Sequence, residues 1–250
     1  MSLSKGATET EREEREEKEM KYSTEALQKI MGTMKGMIRQ YKGKSFEDLK
    51  LHISKGNSKI GRTHNFSTAP GITCPNCSKC IHYCYDIKAC WQYENVRIAR
   101  AENTAMMAMD RERTFDQIAD YIAHRKLHKY FRWHVSGEIQ DTDYFDHMVK
   151  IAKQFPEWVF WTYTKNYYAV NEWIRTHGNT KDAIPENLSV MFSVWNGMPC
   201  PNPYGLPTFT CIMEGMTPDP KEWRCPGNCE ICLKAKRGCP YGESSNVDEH

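Results

Sequence analysis

Apolar residues along the chain follow two periods. Between positions 131 and 194, short runs of β-branched and aromatic residues alternate with stretches in which apolar side chains recur every three or four residues. The runs Phe131-Arg132-Trp133-His134-Val135, Trp158–Thr164 and Leu188–Val194 predict strands. The stretch opened by Asp141, with Phe145, Met148, Val149 and Ala152, predicts one intervening helix; Val170, Trp173 and Ile174 mark another that stops before Gly178. Strand and helix alternating at intervals of about 27–30 residues is the βαβ pattern of a parallel sheet. Right-handed crossovers roll such a sheet toward a partial barrel.

Upstream, Leu27, Ile30, Met31, Met34 and Ile38 share one face of a helix predicted over 23–41. Ser45-Phe46-Glu47-Asp48 has the form of a capping box opening a short second helix through Leu49 and Leu51. Gly56-Asn57-Ser58-Lys59-Ile60-Gly61 reads as a turn, and His64–Ser67 as a strand ended by Ala69-Pro70-Gly71. A helical stretch over 93–127 breaks near Asp110: Val96, Ala99 and Asn103 lie on an early face, Phe115, Ile118 and Ile122 on a later one. Past Trp195 the periodicity ends, and prolines and glycines crowd Pro199–Gly227. The pattern divides the chain into a charged, disordered leader over 1–20, a partial α/β barrel with N-terminal helices over 21–198, and a loop-rich, Cys-rich cap over 199–250 whose order depends on metal.

Composition narrows the class. Of 250 residues, 40% are hydrophobic and 12% aromatic, enough for a substantial core. A net charge of +2 points neither toward nucleic acid nor away from it. No apolar run is long enough to span a membrane, and the first twenty residues lack the apolar segment of a signal peptide. A cytoplasmic protein with reduced thiols is expected, so its eleven cysteines point to metal rather than disulfides.

Most of those thiols fall in two runs. Cys74, Cys77, Cys80 and Cys84 have the C-x2-C-x2-C-x3-C spacing of ferredoxin-type ligation, which predicts a [4Fe–4S] cluster. Cys225, Cys229, Cys232 and Cys239 suit a second cluster or, alternatively, a structural zinc; the spacing does not separate these. Cys90, Cys200 and Cys211 read as buried free thiols that could still replace a ligand. Sites in α/β barrels gather at the C-terminal ends of the strands. That edge receives Ser136, Gly137 and Glu138 from one strand, Thr164 and Lys165 from the next, and Ser193, Trp195 and Asn196 from the third. Glu138 and Lys165 are the expected catalytic residues, with Ser136, Gly137, Glu138 and Asn196 contacting a cofactor. Arg132 and His134 share a strand face with Ser136 and would line a pocket if that face points inward, while Trp133 and Trp161 belong to the core.

Several of these segments together resemble the phage and prophage family called gene product 88. They are Gly56–Gly61, Cys74 with Cys80-x3-Cys84-Tyr85, Arg132–Glu138, Thr162-Tyr163-Thr164-Lys165, and Cys225-x3-Cys229-x2-Cys232-x6-Cys239 with His250, spanning roughly residues 52–250. The family pattern emphasises the positions of Cys74, Cys80 and Cys84, which implies an open cluster on three cysteines. More distantly, the layout resembles radical S-adenosylmethionine enzymes, with Ser136-Gly137-Glu138 where those carry a Gly-Gly-Glu-type motif. The cysteine spacing departs from theirs, since five residues separate Cys84 from Cys90. The resemblance implies a redox or radical-type enzyme that takes S-adenosylmethionine, an unidentified substrate and an electron donor. The alternative is a non-enzymatic zinc- or cluster-stabilised binding module, associated with nucleic acid if Lys234, Lys236 and Arg237 meet phosphates.

Overall fold

The computed structural model describes residues 22–213 and 215–248; the leader expected over 1–20 lies outside them. Eight strands form one sheet: β1 (Ile53–Ser54), β2 (His64–Phe66), β3 (Tyr130–Trp133), β4 (Val159–Thr164), β5 (Leu188–Val194), β6 (Thr208–Ile212), β7 (Trp223–Arg224) and β8 (Ser245–Asp248). Their order is β1-β2-β3-β4-β5-β6-β8-β7. Only β1 with β2 is antiparallel; the other six pairings are parallel. The sheet does not close, and β1 and β7 remain its edges. This is the α/β partial barrel the repeat predicts.

Seven helices accompany it among the described residues: α1 (Thr24–Arg39), α2 (Tyr85–Gln92), α3 (Glu94–Met109), α4 (Arg111–Ala123), α5 (Thr142–Gln154), α6 (Tyr167–Thr176) and α7 (Cys229–Ala235). None is long and apolar enough to cross a membrane. Side-chain caps set several starts, because the first N–H groups of a helix have no partner within it. Ser23 accepts from Ala26 N–H, Asp141 from Tyr144 N–H and Asn166 from Ala169 N–H. Asp110 is extended, ends α3 and accepts from Arg113 N–H to open α4, so the expected break falls on it. The capping box at Ser45 and Asp48 is formed, but it opens only one 3-10 turn, Phe46–Asp48.

Alternation along the strands divides the side chains between two faces. Phe131, Trp133, Phe160, Leu188, Val190 and Phe192 turn outward and form the main core with α4, α5 and α6 through Ile118, Ile122, Phe145, Met148, Trp173 and Ile174. Trp133 and Trp161 are both fully buried. A second core joins α1, α2 and α3 through Leu27, Ile30, Met34, Ile87, Cys90 and Ala101, and Ile72 and Ile81 from the first Cys loop pack against it. The C-terminal stretch, expected as a loop-rich cap, also supplies three strands of the sheet. Within it β8 enters between β6 and β7.

Candidate functional site

The first thiol loop leaves β2 at the C-terminal edge of the sheet. Thr73 Oγ1 donates to Ala69 O at 2.8 Å, and Ala69 N–H donates to Thr104 Oγ1 on α3 at 2.9 Å, so the loop is anchored before its first cysteine. Cys77 N–H closes a turn on Cys74 O at 3.1 Å. Cys80 lies in the 3-10 turn Lys79–Tyr83, and Cys84 is the N-cap of α2. Burial pushes the Cys74 thiol up to about 12, with the Glu138 carboxylate adding to the effect. Burial also raises Cys84 to about 11; the Asp86 charge adds to this, while the amides of Ile87 and Asp86 oppose it. Cys80 moves the other way, downward, because the Cys77 thiol donates to it and the Lys165 ammonium lies near.

Ser136-Gly137-Glu138 stitches the neighbouring loops together. Ser136 Oγ donates to Thr68 O at 3.0 Å, and Ser136 N–H donates to Ser67 Oγ at 3.3 Å. Gly137 has φ +86°, and a Cβ there would lie 2.0 Å from Thr68 Oγ1, so both conformation and space demand glycine. The buried Glu138 carboxylate accepts from Ile139 N–H and from Lys165 N–H, each at 2.8 Å. Burial raises its pKa against these bonds and the Lys165 charge. Lys165 Nζ stands 5.4 Å from the Trp195 ring centre, and Trp195 lies 5.9 Å from the Tyr83 ring. His134 takes a left-handed φ of +54° just past β3, and its Nε2 shares a 2.8 Å hydrogen bond with Tyr144 Oη. Its Nδ1 is buried without a partner among the described residues, and burial followed by the Arg132 charge holds its pKa down to about 3.

The second thiol set is seated by a loop distant in sequence. Asn57 Oδ1 accepts from Lys59 N–H and Ile60 N–H at 2.9 and 3.1 Å, which folds Gly56–Gly61 into a tight turn. Lys59 O then accepts from Cys229 N–H at 2.9 Å, and Glu230 Oε1 accepts from Arg62 N–H at 3.3 Å. Cys225 N–H donates to Asn246 O at 2.8 Å. At Gly238, φ +74°, a Cβ would come within 3.2 Å of Cys232 Sγ and 2.9 Å of Trp223 Cδ1. Polar groups surround these sulfurs: the Arg132 guanidinium lies near Cys229 and the Tyr163 and Ser245 hydroxyls lie near Cys239, with Ser245 Oγ donating to Glu243 O at 3.0 Å. Burial pushes Cys239 up to about 11 despite them. Arg132 lies over the Tyr163 ring at 4.6 Å, and its Nε has no partner among the described residues. Burial works against its charge, while Tyr85, Tyr163, Cys229 and Cys239 favour it.

One cavity of about 390 Å³ joins both sets. All eight cysteines line it, together with Arg132, His134, Ser136, Gly137, Glu138 and Lys165. Asn196, expected on this rim, is exposed on the turn after β5 and does not line the cavity; Ser193 and Trp195 do. Tyr163, Phe209 and Val247 also line it and were missed from sequence, although the strand alternation that places Arg132 inward would have found Tyr163. Cys211 faces the cavity as well. Cys90 lies in the second core 3.6 Å from Asp86 Oδ2, and Cys200 packs against the main one. Among the described residues, no three His, Cys, Asp or Glu side chains are arranged to hold a metal ion.

A family model described as gene product 88 matches residues 11–198. The chain belongs to the gene product 88 family. The gene product 88 match takes in the first thiol loop, Ser136-Gly137-Glu138 and Lys165, and ends before Cys225. No curated protein and no solved structure matches the chain.

Proposed function

We propose that this protein is a phage-type iron–sulfur protein acting in the cytoplasm, a redox or radical-type enzyme that takes S-adenosylmethionine at its first thiol set. The observation that carries this reading is the convergence of eight thiols from two distant segments on one cavity at the C-terminal edge of a parallel sheet. The surroundings fit anionic metal–thiolate centres. Polar groups beside ligand sulfurs are a usual means of stabilising and tuning such centres, and Arg132 stands near Cys229 and Tyr163 near Cys239. The half-buried Arg132 guanidinium, stacked on Tyr163, adds positive charge to the cavity wall.

Cys74, Cys80 and Cys84 would hold the first cluster, with Cys77 donating a hydrogen bond to Cys80. Cys225, Cys229, Cys232 and Cys239 would hold the second. When bound, an open cluster supplies one electron for reductive cleavage of S-adenosylmethionine. The chain's own contribution is binding and enclosure. Glu138 and Lys165 present opposite charges to the cavity wall, Gly137 lets the backbone approach closely, and Tyr83 and Trp195 form an apolar flank. A nucleic-acid role draws less support, because Lys234 is paired with Glu230 and Arg237 with Glu243.

The test is anaerobic purification with iron, zinc and sulfide analysis and absorption spectra before and after S-adenosylmethionine is added. Brown protein with about eight irons and eight sulfides per chain is expected, with a ligand-induced change in the reduced spectrum. Colourless protein containing only zinc would overturn the enzyme reading and leave a zinc-stabilised binding module.

A further inference from the structure

Cations gather where β1 ends and β2 and β3 begin. Ser54 pairs with Asn65, so Lys55 follows at the start of β2; His64 pairs with Phe131, so the loop before β3 lies beside Arg62. That loop, His124-Arg125-Lys126-Leu127-His128-Lys129, has no acidic residue in a chain whose net charge is only +2. Its backbone is tied down. Arg125 N–H donates to Ile122 O at 3.0 Å, Tyr130 N–H to His128 O at 2.7 Å, and Val159 N–H to Lys129 O at 3.0 Å. Arg62 Nη1 stands 3.5 Å from His128 Nε2, and the Arg125 guanidinium lies over the Tyr121 ring at 4.2 Å. Burial, then the charges of Arg125, His128 and Lys55, lower the pKa of His64, so the field of all three reaches one buried ring.

Little of this charge is answered. Lys129 pairs with Glu157 at 3.1 Å and His124 with Asp120 at 3.4 Å, while Glu230 Oε1 accepts from the Arg62 backbone N–H. Lys55, Arg62, Arg125 and Lys126 form no ion pair among the described residues, and Arg125 Nε is buried without a partner among them. Like charges held this close repel, and a polyanion laid across them relieves the repulsion. We infer that this edge is a binding surface for the phosphodiester backbone of a single-stranded nucleic acid, met by Lys55, Arg62, Arg125 and Lys126. Loops rather than a helix carry these cations, so nothing here is shaped to enter a duplex groove. A lipid-binding surface joins its cations to a broad apolar face, whereas Leu127 is the large apolar side chain exposed among these. The surface is separate from Lys234 and Arg237, which are paired, and it needs no metal.

The experiment is fluorescence anisotropy of the full-length protein with a fluorescein-labelled single-stranded DNA of mixed sequence, about 20 nucleotides long, as salt rises from about 50 to about 300 mM. Contacts from these four cations predict a slope of about −3 for log K against log salt. Lys55→Ala combined with Lys126→Ala should weaken binding about tenfold or more at the lowest salt and reduce the slope to about −1.5. Lys35→Ala combined with Lys88→Ala removes the same charge from α1 and α2 and should leave affinity and slope unchanged. All four lysines are exposed, so both variants should fold and melt with the native chain. Absence of binding at the lowest salt, or equal loss in the two variants, would overturn the inference. Sedimentation with phosphatidylglycerol vesicles that excess oligonucleotide fails to displace would overturn it in favour of a lipid surface.

Discussion

Glu138 does structural work that can be measured apart from any ligand. Its two carboxylate oxygens hold the amide of Ile139 in its own loop and the amide of Lys165 in the loop after β4, both at 2.8 Å. A hydrogen bond to a charged group contributes about 1.5–3 kcal/mol. In Glu138→Gln one oxygen remains as a neutral acceptor worth about 1 kcal/mol, and the new NH2 group faces an amide it cannot satisfy. The balance is a loss of about 2–5 kcal/mol. At about 2–4 °C per kcal/mol for a chain of this size, the melting temperature should fall by roughly 4–20 °C. The assay is a thermal melt followed by circular dichroism, with native and variant protein matched for metal content. An unchanged melting temperature would refute the inference that this carboxylate joins the two loops, and would leave Glu138 as a wall residue free to serve a ligand alone.

Two further outcomes follow from the geometry. His134 is held neutral in the folded state, with its pKa depressed to about 3, so stability should be constant above about pH 6.5 and fall as pH drops below it, because the unfolded chain takes up the proton first. The decline approaches about 1.4 kcal/mol per pH unit from this residue, and chemical denaturation between pH 7 and 4 with a less steep profile in His134→Gln would check it. Gly56→Ala would place a methyl group 1.7 Å from Gly61 O at φ +106°, disrupting the turn that seats Cys229. On the iron–sulfur reading proposed above, that variant should lose metal from the C-terminal set while retaining it at the first, as read by metal-to-protein ratio; equal metal content would count against the turn as a seat.

Much of the fold was legible because its signal is local. The strands from β3 to β5 carry runs of β-branched and aromatic residues, and α5 and α6 carry apolar residues at helical spacing, so each element declares itself within a few residues. The C-terminal strands do not. Those strands, β6, β7 and β8, have five, two and four residues among prolines and glycines, and β8 finds its place only by inserting between the other two. In α2 the helical signal is limited to Ile87 and Cys90, one turn apart, and the cysteine run masks it. The thiols of the site were legible for the same local reason. Their surroundings were not, since Arg132, Tyr163 and Ser245 approach the sulfurs from three different strands. Asn196 was misplaced through register: alternation carries past the end of β5, so Ser193 and Trp195 turn inward and the residue after them faces solvent.

The place of β8 between β6 and β7 has a consequence for how the protein is made. A chain folds from its N-terminal side as it leaves the ribosome, and both thiol sets emerge before β8 does. Until β8 arrives, β6 has no neighbour on its far side and β7 has no partner in the sheet. Ser245, buried near Cys239, and Asn246, whose carbonyl holds Cys225, both belong to β8. The nascent chain thus passes through an interval in which the thiols are present and the wall beside them is incomplete. The last part of that wall is completed only when β8 docks between β6 and β7.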